Sequence, residues 1–183
     1  MLYIMRHGRT DWNAIHKLQG RSDIPLNDEG RKMAGAAATE YKDVHFDVCY
    51  CSPLKRARET AEIMLSGRDV PIIFDDRLVE MGFGEYEGSR EVLHTPGCEI
   101  AVVFLDPAGY KESIKGSETF DELYARTGEF LEEVVYPGLK EGKDILIVGH
   151  GAMNSCIYCQ INNIPRSGFW DEGIEQCKLK KLL

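Results

Sequence analysis

The feature that most constrains this chain is its amino-terminal segment, an apolar run from Leu2 to Met5 followed by Arg6, His7 and Gly8. The run is long enough for one buried strand and too short for a membrane helix. In an open α/β sheet, ligands bind outside the carboxyl ends of strands, where Arg6 and His7 would then lie. An arginine side chain can donate two parallel hydrogen bonds to phosphate oxygens. A neutral imidazole beside it can act as a nucleophile, a base or a metal ligand. The segment therefore favours phosphoryl transfer, with a solvated strand end as the alternative.

The length of 183 residues suits one domain with a real core, and a hydrophobic content of 43% is typical of a globular protein. The formal net charge of −8 argues against nucleic acid or an anionic membrane as partner, but not against a phosphate substrate in a locally positive cleft. Arg6, His7 and Arg9 precede any signal-peptide core, and no apolar run is long enough to span a membrane. The six cysteines are expected to be free thiols in a reducing cytoplasm.

Strand-like and helix-like segments alternate along the chain, which is typical of an α/β fold. The predicted strands lie at residues 2–5, 46–51, 71–74, 144–149 and near 174–182. The predicted helices lie at 28–41 with Asn27 as N-cap, from Ser52-Pro53 to Leu65, from Ser117 to a stop at Pro137-Gly138, and at about 152–160. Residues 89–116 are predicted to form an irregular excursion with one or two short helices, a length of loop that is typical of lids and binding surfaces.

Charged and titratable side chains are concentrated where predicted strands end. Two strands lead into the glycine-flanked histidines His7 and His150, a third leads into the helix that carries Arg56, and Glu80 lies in the loop after a fourth. Because the carboxyl ends of parallel strands meet at one edge of a sheet, these side chains would lie close together. A single histidine at a strand end is more often structural, but this combination with Arg6 predicts one functional site.

A longer series of motifs contains these residues in a fixed order from residue 2 to about 152. The motifs are Arg6-His7-Gly8-Arg9-Thr10, Trp12-Asn13, Leu18-Gln19-Gly20, Pro25-Leu26, Ser52-Pro53-Leu54-Lys55-Arg56-Ala57, Glu80 with Phe83-Gly84, Glu87-Gly88 and Val148-Gly149-His150-Gly151. The series resembles the histidine phosphatase superfamily, in its cofactor-dependent phosphoglycerate mutase-like branch. The resemblance implies a three-layer α/β/α sandwich with a mostly parallel central sheet. It also implies a single histidine phosphatase domain over residues 1–183, with a lid-like excursion at about 89–116.

The resemblance implies a role for each site residue. His7 would be the nucleophile and form a phosphohistidine, for which it must be neutral, and nearby Arg6 and Arg56 disfavour a charged imidazole. Arg6, Arg56 and His150 would neutralise the transferring phosphoryl group, while Glu80 would protonate the leaving oxygen and then activate water. The implied substrate-binding residues are Gly8, Thr10, Asn13, Gln19, Gly20 and Gly151. No metal and no cofactor are implied, because the arginines supply the positive charge.

The implied activity is metal-independent hydrolysis of a small phosphomonoester. A mutase needs further cations around a second phosphate, and residues 88–116 offer only Arg90, Lys111 and Lys115. Mutase-type phosphoryl transfer is therefore the alternative. A non-catalytic phospho-ligand binding module is a further alternative, which the presence of both histidines and the carboxylate argues against. The sequence specifies neither which phosphorylated metabolite is the substrate nor the oligomeric state.

Other titratable residues have plainer interpretations. Glu85 and Glu87 are rival carboxylates in the loop of Glu80, and we expect them to be solvated because only Glu80 matches the motif. The remaining histidines have no partnering pattern and are expected at the surface; they are His16, His45 and His94.

Two further segments have alternative interpretations. Cys49-x-Cys51 and Cys156-x-x-Cys159 look like halves of a zinc site, but their strand and helix spacing favours buried free thiols. The apolar run Ile100 to Leu105 is either a substrate-facing lid or a small satellite of the core, and its place in the excursion favours the lid.

Overall fold

The computed structural model describes all residues from Met1 to Leu183 and contains one five-stranded sheet. The strands are β1 (Leu2–Arg6), β2 (Val48–Cys51), β3 (Ile72–Phe74), β4 (Ile145–Gly149) and β5 (Leu179–Lys181). Their order across the sheet is β3-β2-β4-β1-β5. The four strands β1, β2, β3 and β4 are parallel to one another, and β5 is antiparallel to β1. The predicted mostly parallel central sheet is therefore confirmed.

Seven helices connect the strands. They are α1 (Asp11–Ala14), α2 (Asp28–Glu40), α3 (Lys55–Met64), α4 (Val102–Leu105), α5 (Phe120–Phe130), α6 (Tyr136–Lys140) and α7 (Gly151–Asn162). A π-helical turn over Leu131–Val135 joins α5 to α6. The remaining turns are 3₁₀ segments at Asp76–Leu78, Gly84–Tyr86, Glu99–Ala101 and Arg166–Gly168. None of the helices combines the length and the apolar character that crossing a bilayer requires.

Helices cover both faces of the sheet, because side chains alternate along its central strands. On β1, Met5 packs into a buried cluster with α2 and α3, whereas Leu2 and Ile4 pack into a second cluster with α5 and α7. The neighbouring strand β4 is buried at every position, as an apolar strand between two helical layers must be. The result is the expected three-layer α/β/α sandwich.

A third buried cluster attaches the excursion at 89–116 to the body of the protein. Ile100 and Val103 are fully buried together with Phe120 of α5 and Phe169. Leu105, at the end of α4, is 71% exposed. The run Ile100 to Leu105 is therefore partly a satellite of the core, through Ile100 and Val103, and partly substrate-facing, since Phe104 lines a cleft beside His7; a lid movement of this segment stays a prediction.

Helix α3 begins later than the sequence predicted. Ser52-Pro53 was expected to start it, but the helix begins at Lys55, and Leu54 at the N-cap position makes no side-chain cap. The reason is that the Ser52 side chain is used elsewhere: its Oγ lies 2.7 Å from His150 Nε2. The predicted serine cap is therefore wrong, and the hydroxyl belongs to the candidate site.

Helix α5 also differs from prediction at both ends. Its N-cap is Thr119, which accepts a hydrogen bond from the Glu122 N–H while the Glu122 carboxylate accepts one from the Thr119 N–H. Ser117 instead lies 2.7 Å from the Tyr110 hydroxyl. At the other end, Pro137 does not stop the helix, because the π turn places it in the first turn of α6, where a missing N–H is tolerated.

The other boundaries agree with prediction within two residues, except that β5 covers only Leu179–Lys181 of the predicted strand near 174–182. The N-cap at Asn27 is confirmed, since its side chain accepts a hydrogen bond from the Gly30 N–H.

A contact between two glycines brings the turn after β1 against helix α2. A Cβ on Gly8 would lie 2.6 Å from the Gly30 carbonyl oxygen, and a Cβ on Gly30 would overlap the Arg9 carbonyl oxygen. The Asn27 N–H donates to that same Arg9 oxygen at 3.0 Å. The start of α2 thus fixes the turn that follows His7.

We expect Gly30→Ala to lower the free energy of unfolding by about 1–3 kcal/mol, because the added methyl group must push the turn away from α2. Gly35→Ala is the matched control, since it lies in the same helix and a Cβ there meets no atom within 4 Å. That variant should be more stable than wild type by about 0.5–1 kcal/mol. Urea unfolding measures both, and equal effects at the two sites would contradict the contact.

Candidate active site

The pairing of β1 with β4 places two histidines side by side at the carboxyl edge of the sheet. In the register of these strands Arg6 is opposite Gly149, and the His7 N–H donates to the Gly149 carbonyl oxygen at 2.9 Å. His7 and His150 are the next residues of the two strands, and their ring centroids lie 5.2 Å apart. The structure therefore brings these two residues together at the edge where the sequence predicted a site.

A cleft of about 290 Å³ opens beside His7. Eight of the eleven predicted site residues line it: Arg6, His7, Asn13, Gln19, Gly20, Arg56, Glu80 and Gly151. Its remaining lining residues, none of which was predicted as a site residue, are Lys17, Leu18, Phe83, Phe104, Ala152 and Trp170.

Three predicted residues are not among those that line the cleft. His150 is fully buried against His7. Thr10 is also fully buried, and its hydroxyl lies 3.0 Å from Gln19 Oε1 and 3.1 Å from Asn13 Oδ1. Gly8 donates its N–H to Thr60 Oγ1 at 3.0 Å. Thr10 and Gly8, expected to line the phosphate pocket, instead hold the residues that do.

The tautomer of His7 follows from one hydrogen bond. Its Nδ1 lies 2.7 Å from the Gly8 carbonyl oxygen. A carbonyl oxygen only accepts, so Nδ1 carries the proton and Nε2 keeps a lone pair. Burial, followed by the positive charges of Arg56 and Arg6, holds the pKa of His7 well below its usual value, with the Gly8 bond as a smaller opposing effect. His7 is therefore a neutral imidazole.

His150 has the complementary arrangement. Its Nε2 lies 2.7 Å from Ser52 Oγ, and its Nδ1 is buried without a partner. The Leu54 N–H donates to Ser52 Oγ at 3.4 Å, and the serine hydroxyl keeps its own proton to donate to His150 Nε2; in that arrangement the ring proton of His150 is on Nδ1. Burial, then Arg56, lowers the pKa of His150 far below its usual value. Ser52 is a site residue that the sequence did not reveal; a hydroxyl directly after β2, the neighbour of β4, was the available signal.

Two buried arginines border the same space. Arg56 donates through Nη1 to Ser22 O at 2.7 Å and through Nη2 to Gly20 O at 2.6 Å, and its Nε has no partner. Arg6 donates to Ile174 O at 3.2 Å and also has an unpartnered buried Nε. Burial lowers the pKa of Arg56 to about 10, so the group stays a cation near neutral pH. The two free guanidinium N–H groups suit an anion with several oxygens.

Glu80 is held by three backbone N–H groups, two of which lie at the start of α7. Its Oε1 accepts from Met81 at 2.9 Å and Met153 at 3.0 Å, and its Oε2 accepts from Ala152 at 3.2 Å. A carboxylate is favoured at this end of a helix. A Cβ on Gly151 would lie 3.6 Å from Glu80 Oε2, and glycine therefore keeps the carboxylate open to the cleft.

An ion pair outside the cleft fixes the segment that carries Glu80. Arg126 makes a bidentate contact with the buried carboxylate of Glu118, with distances of 2.7 and 3.0 Å. Arg126 also donates to the Glu80 carbonyl oxygen at 3.2 Å, and Glu118 accepts from the Gly82 N–H at 3.2 Å. Neither residue carried a recognisable signal in the sequence, because the segment that they hold, at Glu80 and Gly82, is remote along the chain.

The prediction for Glu87 is wrong, whereas Glu85 is exposed as expected. The Glu87 carboxylate accepts backbone hydrogen bonds from Arg21 at 2.9 Å, Ser22 at 2.8 Å and Phe83 at 3.1 Å. It therefore organises the loop whose carbonyl groups hold Arg56, and it is not a solvated rival of Glu80.

The remaining predictions for titratable residues are confirmed. The three other histidines are exposed, namely His16, His45 and His94. All six cysteines are free thiols, with the two suspected pairs buried on β2 and on α7. Burial raises the pKa of Cys49 and of Cys156 to about 12.

Comparison with known proteins agrees with this geometry. The chain matches the family model of the histidine phosphatase superfamily (branch 1) over residues 2–183. This protein belongs to the histidine phosphatase superfamily. Phosphoserine phosphatase 1 of Hydrogenobacter thermophilus is 30% identical to it over 95% of this chain and 82% of its own length. The 2,3-bisphosphoglycerate-dependent phosphoglycerate mutase of Cytophaga hutchinsonii is 33% identical over 82% of this chain and 72% of its own.

Solved structures of similar proteins share the whole fold of this histidine phosphatase. YhfR of Bacillus stearothermophilus is 30% identical and superposes with a TM-score of 0.86, covering 97% of this chain and 88% of its own. The alpha-ribazole phosphatase from Shigella flexneri is 27% identical with a TM-score of 0.80, covering 97% and 87%. The resemblance found in the sequence is confirmed.

The buried neutral histidines of this histidine phosphatase make its stability depend on pH. His7 and His150 have lowered pKa values when folded, so near pH 6 the unfolded chain binds more protons, and stability must fall as pH falls through about 6.5. From pH 7.5 to 5.5 we expect a loss of up to about 2.7 kcal/mol for the two groups.

Urea unfolding at both pH values measures this loss, and His7→Gln, which does not titrate, should show a loss smaller by about 1.4 kcal/mol. Identical pH dependence in wild type and variant would contradict a neutral, buried His7.

Proposed function

We propose that this protein is a phosphatase that hydrolyses a small phosphomonoester through a phosphohistidine on His7. The observation that carries the proposal is the hydrogen bond from His7 Nδ1 to the Gly8 carbonyl oxygen, because it leaves the Nε2 lone pair free for attack. The unpartnered N–H groups of Arg6 and Arg56 beside it support a phosphoryl group as the electrophile. Relatives named as phosphatases support water as the final acceptor.

In the first step, His7 Nε2 attacks phosphorus, so that a P–N bond forms while the ester P–O bond breaks. Glu80, entering the step protonated, gives its proton to the leaving alcohol oxygen. The three N–H groups around Glu80 hold its carboxyl group in place during the transfer. Arg6 Nε, Arg56 Nε and His150 Nδ1 donate to the phosphoryl oxygens, where negative charge is spread in the transition state.

In the second step, water attacks the phosphohistidine and Glu80 accepts its proton. The P–N bond breaks, inorganic phosphate leaves, and His7 returns to the neutral tautomer that its bond to Gly8 favours. One carboxyl group thus acts as acid and then as base. The arginines provide the positive charge throughout, so that the steps are written without a metal.

Mutase-type transfer is the competing function, because one relative is a phosphoglycerate mutase. A mutase would hold a second phosphate at the outer part of the cleft. The cations that line the cleft are Arg6 and Arg56 beside His7 and only Lys17 farther out. Arg90 of the excursion, which forms a backbone bridge with Lys17, is exposed and does not line the cleft. The charge distribution therefore favours the phosphatase.

Rapid-quench experiments with ³²P-labelled substrate test the proposal directly. We expect an acid-labile, base-stable phosphoenzyme in wild type, formed and consumed within one turnover, and none in His7→Ala. Exhaustive chelation should leave turnover unchanged. An acid-stable phosphoenzyme, or product formation by His7→Ala at the wild-type rate, would contradict a phosphohistidine on this residue.

The role of Glu80 is tested by leaving groups of different basicity. An alkyl phosphate leaves as a strongly basic alkoxide and needs a proton, whereas p-nitrophenolate does not. In single turnover, Glu80→Gln should slow phosphoenzyme formation from an alkyl ester by about 10²–10⁴-fold and from p-nitrophenyl phosphate far less.

Glu85→Gln is the matched control for this experiment, because Glu85 lies in the same loop and is exposed. It should leave both rates unchanged. Equal slowing of the two substrates by Glu80→Gln would exclude Glu80 as the proton donor.

A further inference from the structure

The cleft beside His7 is lined by three aromatic side chains, Phe83, Phe104 and Trp170, which we call the aromatic wall. The Phe83 and Phe104 ring centroids lie 5.7 Å apart at 31°, and those of Phe104 and Trp170 lie 5.4 Å apart at 27°. The Phe104 and Trp170 rings are stacked and the Phe83 ring is tilted against them, so that the three rings form one contiguous apolar group. Leu18 extends that group along the cleft.

The aromatic wall is held in place before any substrate binds. Trp170 Nε1 donates to the Val103 carbonyl oxygen at 2.9 Å, which ties the loop after α7 to α4. Phe169 packs against Trp170 with a centroid distance of 4.7 Å, and it belongs to the buried cluster that anchors the excursion. The ring of Phe104 is therefore already held in place by these contacts. Binding of a planar ligand then costs little conformational entropy of the protein.

The same cleft offers little to a second charged group. Besides Arg6 and Arg56, its one cation is Lys17. The Nζ of Lys17 lies 4.9 Å from the centroid of a Trp12 ring. The one carboxylate that lines the cleft, Glu80, already accepts three backbone hydrogen bonds. An amino acid phosphate, which carries both a carboxylate and an ammonium group, would leave its ammonium group without a dedicated partner.

We propose that the cleft selects phosphomonoesters whose alcohol carries a planar apolar ring, held against the aromatic wall, with Phe104 and Trp170 as specificity-determining residues. This inference rests on the proposed phosphatase function. A volume of about 290 Å³, at the small end for ligand sites, limits the alcohol to a single ring system of modest size.

The test compares 2-phenylethyl phosphate with ethyl phosphate, because the two alcohols are similarly basic and differ in the ring. Wild type should show a kcat/KM at least about tenfold higher for the phenylethyl ester, the range that an apolar group gives in a hydrophobic pocket. Phe104→Ala should remove most of that ratio, and Phe104→Leu should retain part of it. Leu105→Ala, the next residue of α4 and 71% exposed, is the control and should keep the wild-type ratio.

Further measurements separate failure of this inference from failure of the proposed function. A ratio near one, with His7-dependent hydrolysis of p-nitrophenyl phosphate intact, would overturn the aromatic selection alone. Preference for O-phosphoserine over both esters, lost in Lys17→Met, would also overturn it. If no ester is hydrolysed, the affinities of 2-phenylethylphosphonate and ethylphosphonate are measured by calorimetry. Tighter binding of the phenyl compound, lost in Phe104→Ala, would support the selection of a ring by the aromatic wall. Equal affinities would overturn it.

Discussion

The pairing of β1 with β4 is the constraint on which the candidate site depends. It brings together two strands that are separated by most of the chain, and its register places His7 beside His150 at their common carboxyl end. Because both strands are buried between helical layers, a shift of one residue would turn their core side chains to the wrong face. The packing of the core therefore also fixes the distance between the two imidazoles.

Burial then determines the chemistry of the groups at that edge. It keeps both histidines neutral and lowers the pKa of both arginines, an effect that the charge of Glu80 opposes, while carbonyl oxygens accept the hydrogen bonds of Arg56. Those carbonyl groups are held in turn by Glu87, whose carboxylate accepts hydrogen bonds from the loop that follows Gly20. Arg126 holds the segment of Glu80 in a similar way, by a hydrogen bond to the Glu80 carbonyl oxygen. A neutral nucleophile beside fixed positive charge is what attack on a phosphate ester requires. The aromatic wall adds a preference for phosphate esters whose alcohol carries a planar apolar ring.

Local patterns in the sequence were sufficient to predict the sheet, the strand-end histidines and the two arginines, since strand length, helical period and short motifs act over a few residues. Contacts between remote segments were not predictable in this way. Ser52 is 98 residues from His150, and Trp170 is 67 residues from Val103. The Ser52 prediction failed because a serine before proline suits a helix cap equally well, and only the fold directs its hydroxyl to His150.

In the proposed reaction, Nε2 and not Nδ1 of His7 takes the phosphoryl group, since Nδ1 donates to Gly8. Trapping the phosphoenzyme of ¹⁵N-histidine-labelled protein and recording ³¹P–¹⁵N couplings by NMR would identify the phosphorylated nitrogen directly. We expect a coupling to Nε2 of His7 only. Phosphorus bonded to Nδ1, or to His150, would contradict it.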